Sequence, residues 1–145
     1  MTFDTSPNVV VIIADDLGFG DLGYTGHPYA ITPNIDQMAG EGTILDQFRV
    51  CPTCSPTRGT LITGRNSQRF GITDAYKGFL PDQEITIAEV LKANPNADYI
   101  TGAFGKWHLA TTGGQGYSAT TTQRAAPWYQ GFDTNFITQD SVPTY

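Results

Sequence analysis

Two stretches of the chain have the apolar pattern of buried β-strands. Residues Asn8–Ala14 form an unbroken apolar run that is rich in β-branched side chains. Such a run is typical of a parallel strand that is covered on both faces. Residues Tyr99–Leu109 predict a second strand, which leads directly into a loop of functional character.

Three further stretches carry the start signals and spacing of helices. The first begins at Thr32-Pro33, with Thr32 as the N-cap, and its buried stripe is predicted to be Ile35, Met38 and Ala39. The second begins beside Pro56 and stops at Gly64. The third is capped by Thr86, has its apolar positions on one face and stops at Asn94-Pro95. Those positions are Ile87, Val90 and Leu91.

The order strand, helix, helix, helix, strand indicates an α/β fold. Two or three strands make a poor sheet with exposed edges, so residues 1–145 are interpreted as a single partial domain, the front of a larger α/β domain. Residues 111–126 are mostly Thr, Gly, Ala, Ser and Gln without periodicity, and they predict a mobile loop.

Composition excludes some classes of partner. The chain has 145 residues and a net charge of −6, which argues against a nucleic-acid partner because phosphate binding needs clustered Lys and Arg. No apolar run approaches the length that crosses a membrane, and no signal peptide is visible. The expected location is therefore cytoplasmic, or exported with the signal removed. Two cysteines are too few for a disulfide framework.

The most informative run is Cys54-Ser-Pro-Thr-Arg-Gly-Thr-Leu-Ile-Thr-Gly-Arg65. The helix predicted beside Pro56 places Cys54 at a helix N-terminus, where free N–H groups and the macrodipole favour anions. Arg58 lies one turn further on. A nucleophile in this position suits an oxyanion such as sulfate or phosphate. The alternative for Arg58 is a solvated position on the helix surface.

Asp15-Asp16 lies at the carboxyl end of the first predicted strand, where open α/β sheets place their ligands. Two adjacent carboxylates require a cation to offset their repulsion, and hard divalent ions do this, Ca²⁺ before Mg²⁺ where the site is roomy. The alternative for an isolated Asp-Asp pair is a solvated acidic turn.

The run Gly105-Lys106-Trp107-His108-Leu109 is a third candidate. If it is extended, Lys106 and His108 project to one face and Trp107 to the other. A cation and an imidazole could then converge on one anion while Trp107 packs. The alternative is a buried strand end with an incidental histidine.

The Cys51-Pro-Thr-Cys54 spacing has two further interpretations. It is similar to a thioredoxin-like redox pair, in which the first thiol is the reactive one. Alternatively, the two cysteines with His27 and His108 could hold zinc, although the spacing matches no finger or ribbon. Neither interpretation accounts for the paired aspartates or for Lys106.

Together the three runs resemble the type I sulfatases of the alkaline phosphatase superfamily. The first matches the signature Cys-x-Pro-x-Arg that ends in Thr-Gly-Arg, the second the metal motif Asp-Asp-x-Gly-x-x-Asp-x-Gly, and the third Gly-Lys-Trp-His-Leu-Gly, with Ala110 in place of the last glycine. Asp21 resembles a structural member of the metal motif. The resemblance implies an alkaline-phosphatase-like three-layer sandwich with a mostly parallel sheet, of which this chain is the N-terminal portion.

The resemblance also implies roles for single residues. A maturation enzyme oxidises the cysteine, here Cys54, to formylglycine, whose hydrated aldehyde is the nucleophile. Asp15, Asp16 and the modified Cys54 would bind the metal, usually Ca²⁺ with Mg²⁺ possible. Lys106 and His108 would contact the sulfate and the formylglycine, and Arg58 would orient the nucleophile.

The implied activity is hydrolysis of sulfate esters. The remaining metal ligands of the family are not found in this sequence, so the 145-residue chain is expected to be incomplete or inactive alone. The alternatives are a phosphate or phosphonate monoester hydrolase of the same superfamily, and a non-catalytic sulfatase-like remnant.

Overall fold

A computed structural model describes residues 6–110 and 125–138. The chain divides into two compact units. The N-terminal unit comprises Asn8–Arg49, and the larger unit comprises Val50–Tyr145 together with Met1–Pro7. The predicted mobile loop at residues 111–126 falls almost entirely outside the described residues. Its last two positions, Ala125 and Ala126, are described and buried.

The N-terminal unit contains helix α1, Pro33–Glu41. The helix starts as the sequence predicts, with Pro33 in its first turn, but the Thr32 side chain does not cap it. The Thr32 hydroxyl instead accepts a hydrogen bond from the Gly23 amide at 2.8 Å and donates to Asp36 at 2.7 Å. The same Asp36 oxygen accepts from the Tyr24 amide at 2.9 Å. These bonds join Gly23 and Tyr24 to the start of α1.

Two predictions for the N-terminal unit are wrong in the structure. Residues Asn8–Ala14 form no strand and are exposed, Val10 to 81% and Ile12 to 82%. No residue of α1 is buried, and Ile35 and Met38 are 43% and 65% exposed. A strand needs a neighbouring strand to satisfy its backbone groups, and an apolar helix face needs a surface to pack on. The apolar pattern therefore indicates a preference for burial, but residues 8–14 and the apolar face of α1 are exposed in the structure.

The helices of the larger unit follow the sequence signals closely. Helix α2, Cys54–Thr63, begins at the predicted cysteine and ends at Gly64, which has φ 66°. Helix α3, Ile87–Lys92, starts with the predicted cap and completes a capping box between Thr86 and Glu89. It stops at Ala93, just before the predicted Asn-Pro stop. Two short 3₁₀ helices, Ser67–Phe70 and Pro127–Tyr129, complete the helical elements of the described residues.

The described part of the larger unit has two strands, β1 (Gly102–Lys106) and β2 (Thr134–Thr138). They pair in parallel from Gly102 opposite Thr134 to Lys106 opposite Thr138, which confirms the predicted α/β class and parallel sheet. Strand β1 lies inside the predicted range Tyr99–Leu109 but is shorter at both ends.

The core of the larger unit lies on one side of this sheet. Its buried residues are Ile72, Leu80, Trp107, Leu109, Ala110 and Ala125. The Trp107 indole donates to the Ala125 carbonyl at 2.9 Å, and the Leu80 amide donates to the Leu109 carbonyl at 2.8 Å. These contacts hold the segment after β1 in the core. Within the described residues, no helix combines the length and apolar character needed to cross a bilayer.

Candidate active site

The first two side chains of the candidate site are brought together by α2 and the segment after β1. Cys54 is the first residue of α2, and its Sγ lies 3.1 Å from Nδ1 of His108. The thiol is partly exposed and the imidazole is buried, with 1% of its surface exposed. A group that can carry a proton therefore contacts the predicted nucleophile at a helix N-terminus.

His108 has a left-handed backbone with φ 55°, which is uncommon for a residue other than glycine. The extended conformation that the sequence predicts through His108 thus ends at Lys106, the last residue of β1. Trp107 packs in the core as expected. The reversal at His108 directs the buried imidazole to Cys54, and strained backbone of this kind is common at functional sites.

Arg58 is buried as well, with 7% of its surface exposed, so the solvated alternative does not apply to it. Its Nη1 donates a 2.6 Å hydrogen bond to the backbone carbonyl of Lys106. This contact joins Arg58, one turn into α2, to the end of β1. Arg58, Lys106, Cys54 and His108 therefore belong to one local structure, in which Lys106 meets Arg58 through its backbone.

Backbone and side-chain bonds fix the start of α2. The Thr57 hydroxyl donates to the carbonyls of Cys51 and Thr53, at 3.0 and 2.9 Å. The hydroxyl of buried Ser55 donates to the Ala75 carbonyl at 2.8 Å. The position of Cys54 is thus set by its neighbours on both sides.

Sequence reasoning missed two residues of the site, Ser55 and Tyr76. The Tyr76 ring lies edge-on to the His108 ring, with 5.2 Å between centroids and an interplanar angle of 64°. Neither residue has a periodic or motif signal in the sequence. Ser55 could have been noticed as the neighbour of the nucleophile, whereas Tyr76 is brought to His108 only by the folded chain.

The predicted metal ligands Asp15 and Asp16 lie in the N-terminal unit. Asp16 has a left-handed backbone with φ 59°. Asp21 accepts a 2.7 Å hydrogen bond from the Gly18 amide, in keeping with a structural position. Across residues 6–110 and 125–138, no three His, Cys, Asp or Glu side chains cluster as a metal site. Carboxylates are suitable donors for Ca²⁺, but six to eight oxygens are needed, so these residues alone do not fit the ion.

The two cysteines are free thiols. Cys54 has His108 as its contact, and Nδ1 of His27 accepts from the amides of Tyr29 and Ala30, at 3.2 and 2.8 Å. His27 is therefore engaged with its own loop. The described contacts thus give Cys54 an imidazole partner.

A polar network lies at the start of β2. The carboxylate of Asp133 contacts the Lys92 ammonium at 2.5 Å and accepts from the amide and hydroxyl of Thr101, each at 3.0 Å. The Lys92 bond first, and the Thr101 bonds after it, lower the pKa of Asp133 from 3.8 to about 2. Asp133 thereby links α3 to the residues that precede both strands.

Comparisons with known proteins match most of the chain. The family model described as Sulfatase matches residues 7–145. Arylsulfatase A of Homo sapiens is 48% identical over 109 residues, covering 71% of this chain and 21% of that protein. Arylsulfatase G of Homo sapiens is 42% identical over 135 residues, covering 90% of this chain and 23% of that protein. N-acetylgalactosamine-6-sulfatase of Canis lupus familiaris is 41% identical over 116 residues, covering 71% of this chain and 22% of that protein.

A solved structure matches the fold. The crystal structure of Ps i-CgsB in complex with k-i-k-neocarrahexaose superposes with a TM-score of 0.69 at 28% identity, covering 94% of this chain and 29% of that one. This match confirms the predicted fold class, part of an alkaline-phosphatase-like α/β domain. The chain spans about a fifth of the length of the curated relatives, whose covered shares are 21–23%.

Proposed function

The chain belongs to the sulfatase family, and on that premise we propose that the whole protein hydrolyses sulfate esters with a nucleophile at position 54. The relatives named above are sulfuric ester hydrolases. Since the chain spans about a fifth of their length, the reaction is proposed for the whole protein and not for these residues alone.

The observation that carries the proposal is the 3.1 Å contact between Cys54 Sγ and His108 Nδ1. It joins the residue that starts α2 to the histidine of the Lys-Trp-His run. Two motifs that are distant in the sequence thus share one contact, as residues of one reaction centre would. A solvated helix start and an incidental histidine would have no reason to meet.

Formylglycine at position 54 would supply, when hydrated, two hydroxyls on one carbon, one to take the sulfuryl group from the ester oxygen and one to release sulfate and restore the aldehyde. His108 is in place to hold or accept a proton at the side chain of residue 54. The N–H groups at the start of α2 favour the negative oxygens of the sulfuryl group.

Arg58 and Lys106 complete the proposal. Arg58 is buried one turn from Cys54 and tied to β1, so it holds the helix start against the strand end. Its fixed positive charge also stabilises charge that develops near residue 54. Lys106 is proposed to bind the sulfate through its ammonium, as the family resemblance implies. In this proposal Lys106 and His108 contact the sulfate, and the positive charges of Lys106 and Arg58 offset the charge of the substrate.

Sulfatases in general use a metal ion, and we assign Asp15 and Asp16 as its ligands, with Ca²⁺ as the expected ion and Mg²⁺ as the alternative. The modified side chain of residue 54, an oxygen donor in place of a soft thiol, stays a predicted ligand. The acidic pair would supply two of the six to eight oxygens that Ca²⁺ takes. The other donors would come from outside the described residues.

The first experiment tests the nucleophile. The chain is co-expressed with a formylglycine-generating maturation enzyme, the proposed partner, and peptide mass spectrometry examines positions 51 and 54. Formylglycine is expected at position 54 and an unmodified thiol at Cys51. A Cys51→Ala variant should still be converted and a Cys54→Ala variant should not. An unmodified Cys54 contradicts the proposal.

The second experiment tests the substrate. The whole matured protein is assayed with an aryl sulfate and with a phosphonate monoester, with and without added Ca²⁺. Faster turnover of the sulfate supports the proposal, while a preference for the phosphonate would identify the phosphoryl-transfer alternative. No turnover of either by a protein that carries formylglycine would favour a non-catalytic remnant.

A further inference from the structure

The Tyr76 ring packs against the imidazole that contacts Cys54. The two ring centroids are 5.2 Å apart and the planes meet at 64°, which is the edge-to-face geometry that aromatic pairs prefer. The histidine is 1% exposed, whereas Tyr76 is 64% exposed. Tyr76 therefore covers His108 and presents its remaining surface to solvent.

The turn that carries Tyr76 is itself held in place. The Lys77 amide donates to the Asp74 carbonyl at 3.2 Å, and the Thr73 amide donates to the Lys77 carbonyl at 3.1 Å. The Asp74 carboxylate accepts from the Ala75 amide at 2.7 Å. With both ends and the interior bonded, the turn fixes where the Tyr76 ring can lie.

The same turn is bonded to the nucleophile's own helix. The Ser55 hydroxyl, buried beside Cys54, donates to the Ala75 carbonyl at 2.8 Å. Cys54, His108 and Tyr76 are thus linked in a closed arrangement. The Cys54 thiol contacts the His108 imidazole, and the imidazole packs against the Tyr76 ring. The turn that carries Tyr76 is bonded to Ser55, which is next to Cys54. Movement of any one of them strains the other contacts.

We propose that Tyr76 is a positioning residue, whose ring holds the His108 imidazole so that Nδ1 faces the side chain of residue 54. The contact fixes the imidazole plane by packing and does not require the Tyr76 hydroxyl. This inference rests on the proposed function only for the role of His108 in the reaction. An aromatic pair of usual strength gives roughly a two- to tenfold preference for one ring orientation.

The test follows the imidazole directly, so it needs no turnover. The chain has two histidines, His27 and His108, and nitrogen-detected NMR of the labelled rings resolves both tautomer and exchange broadening. In the parent, His108 is expected to show one tautomer. Tyr76→Ala should give a tautomer mixture or broadened ring signals, and Tyr76→Phe should restore the parent spectrum because it keeps the ring.

Two further variants control the result. Ser55→Ala keeps the ring but releases its turn, and a smaller change at His108 is expected. Tyr29→Ala removes the ring that lies edge-on to His27, at 6.4 Å, and should alter the His27 signals while leaving His108 unchanged. An unchanged His108 spectrum in Tyr76→Ala overturns the proposal, and so does an equal change in Tyr76→Phe.

A kinetic measurement on the whole matured protein separates positioning from substrate binding. Tyr76→Ala is expected to lower kcat for an aryl sulfate by roughly two- to tenfold with little change in KM, and Tyr76→Phe to restore it. An increase in KM at constant kcat would place Tyr76 in substrate binding and contradict the positioning role. If no variant turns over substrate but the NMR result holds, the proposed function fails and the positioning of His108 stands.

Discussion

The guanidinium of Arg58 donates a 2.6 Å hydrogen bond to the backbone carbonyl of Lys106, and this bond joins the start of α2 to the end of β1. Arg58 is 7% exposed, so its charged side chain is largely removed from water. A signature residue of the predicted active site is therefore also a structural link between the two segments that carry the site.

Arg58→Ala should destabilise the fold by about 2–3 kcal/mol, because it removes a charge-assisted hydrogen bond that a buried side chain makes to the Lys106 carbonyl. Arg58→Lys should recover only part of this loss, since an ammonium cannot reproduce the guanidinium fork. Urea unfolding followed by the fluorescence of buried Trp107 measures both. The exposed Arg69 offers the matched control, and Arg69→Ala should stay within about 0.5 kcal/mol of the parent. Equal effects of the two alanine variants would show that the Arg58 bond is not a structural link.

The backbone of His108 makes a second prediction, because its φ of 55° restricts which residues can replace it. His108→Asn should keep most of the stability, as asparagine is enriched in left-handed conformations. His108→Val should lower the free energy of unfolding by at least about 1–2 kcal/mol more than His108→Asn does, since a β-branched side chain is unfavourable in a left-handed backbone conformation. Urea unfolding of the two variants compares them. Equal stability would mean that the segment relaxes when the imidazole is removed, and that the contact with Cys54 maintains the left-handed backbone.

Helix ends were predictable because their determinants are local. The start of α2 follows from Pro56 and its end from Gly64, and the Thr86 capping box that starts α3 lies within four residues. The residues that start and end these helices interact with residues that are close to them in the sequence. The three motifs likewise lie within short windows, so the family was readable from the residues alone.

The strand predicted at Asn8–Ala14 shows where this approach fails. Its apolar run specifies a tendency to be buried, but a strand exists only with a partner to complete its hydrogen bonds. The left-handed backbone at His108 and the contact between the Tyr76 and His108 rings were not predicted, for a related reason. Both depend on the meeting of segments that are distant in the chain, and no local pattern encodes it.

Gly78 supports the turn that carries Tyr76 and leads to a third prediction. Its φ is 95°, and a Cβ at this position would overlap the Gly71 carbonyl oxygen. Gly78→Ala should therefore destabilise by at least about 1–2 kcal/mol and broaden the ring signals of His108, because the turn must move. Gly40, inside α1, has no atom within 4 Å of the place that a new methyl group would occupy, and Gly40→Ala should be neutral or stabilising by up to about 1 kcal/mol. If Gly78→Ala is destabilised but its His108 spectrum is unaltered, the conformation of the turn does not control the orientation of the His108 ring.

Asp133 gives a pH dependence whose sign follows from its environment. The Lys92 bond and the Thr101 bonds lower its pKa from 3.8 to about 2, so the folded state favours the carboxylate. Its contribution to stability is therefore fully present above pH 3.8, and it is lost as the pH falls through about 2.

The difference in unfolding free energy between the parent and Asp133→Asn should thus be largest near neutral pH and shrink below pH 3.8. Urea titrations at several acidic pH values measure it. Asp98→Asn, a change at an exposed aspartate, corrects for the general effect of removing a negative charge. A difference that stays constant down to pH 2 would contradict the lowered pKa of Asp133. It would also mean that the bonds from Lys92 and Thr101 do not hold the carboxylate at the start of β2 in solution.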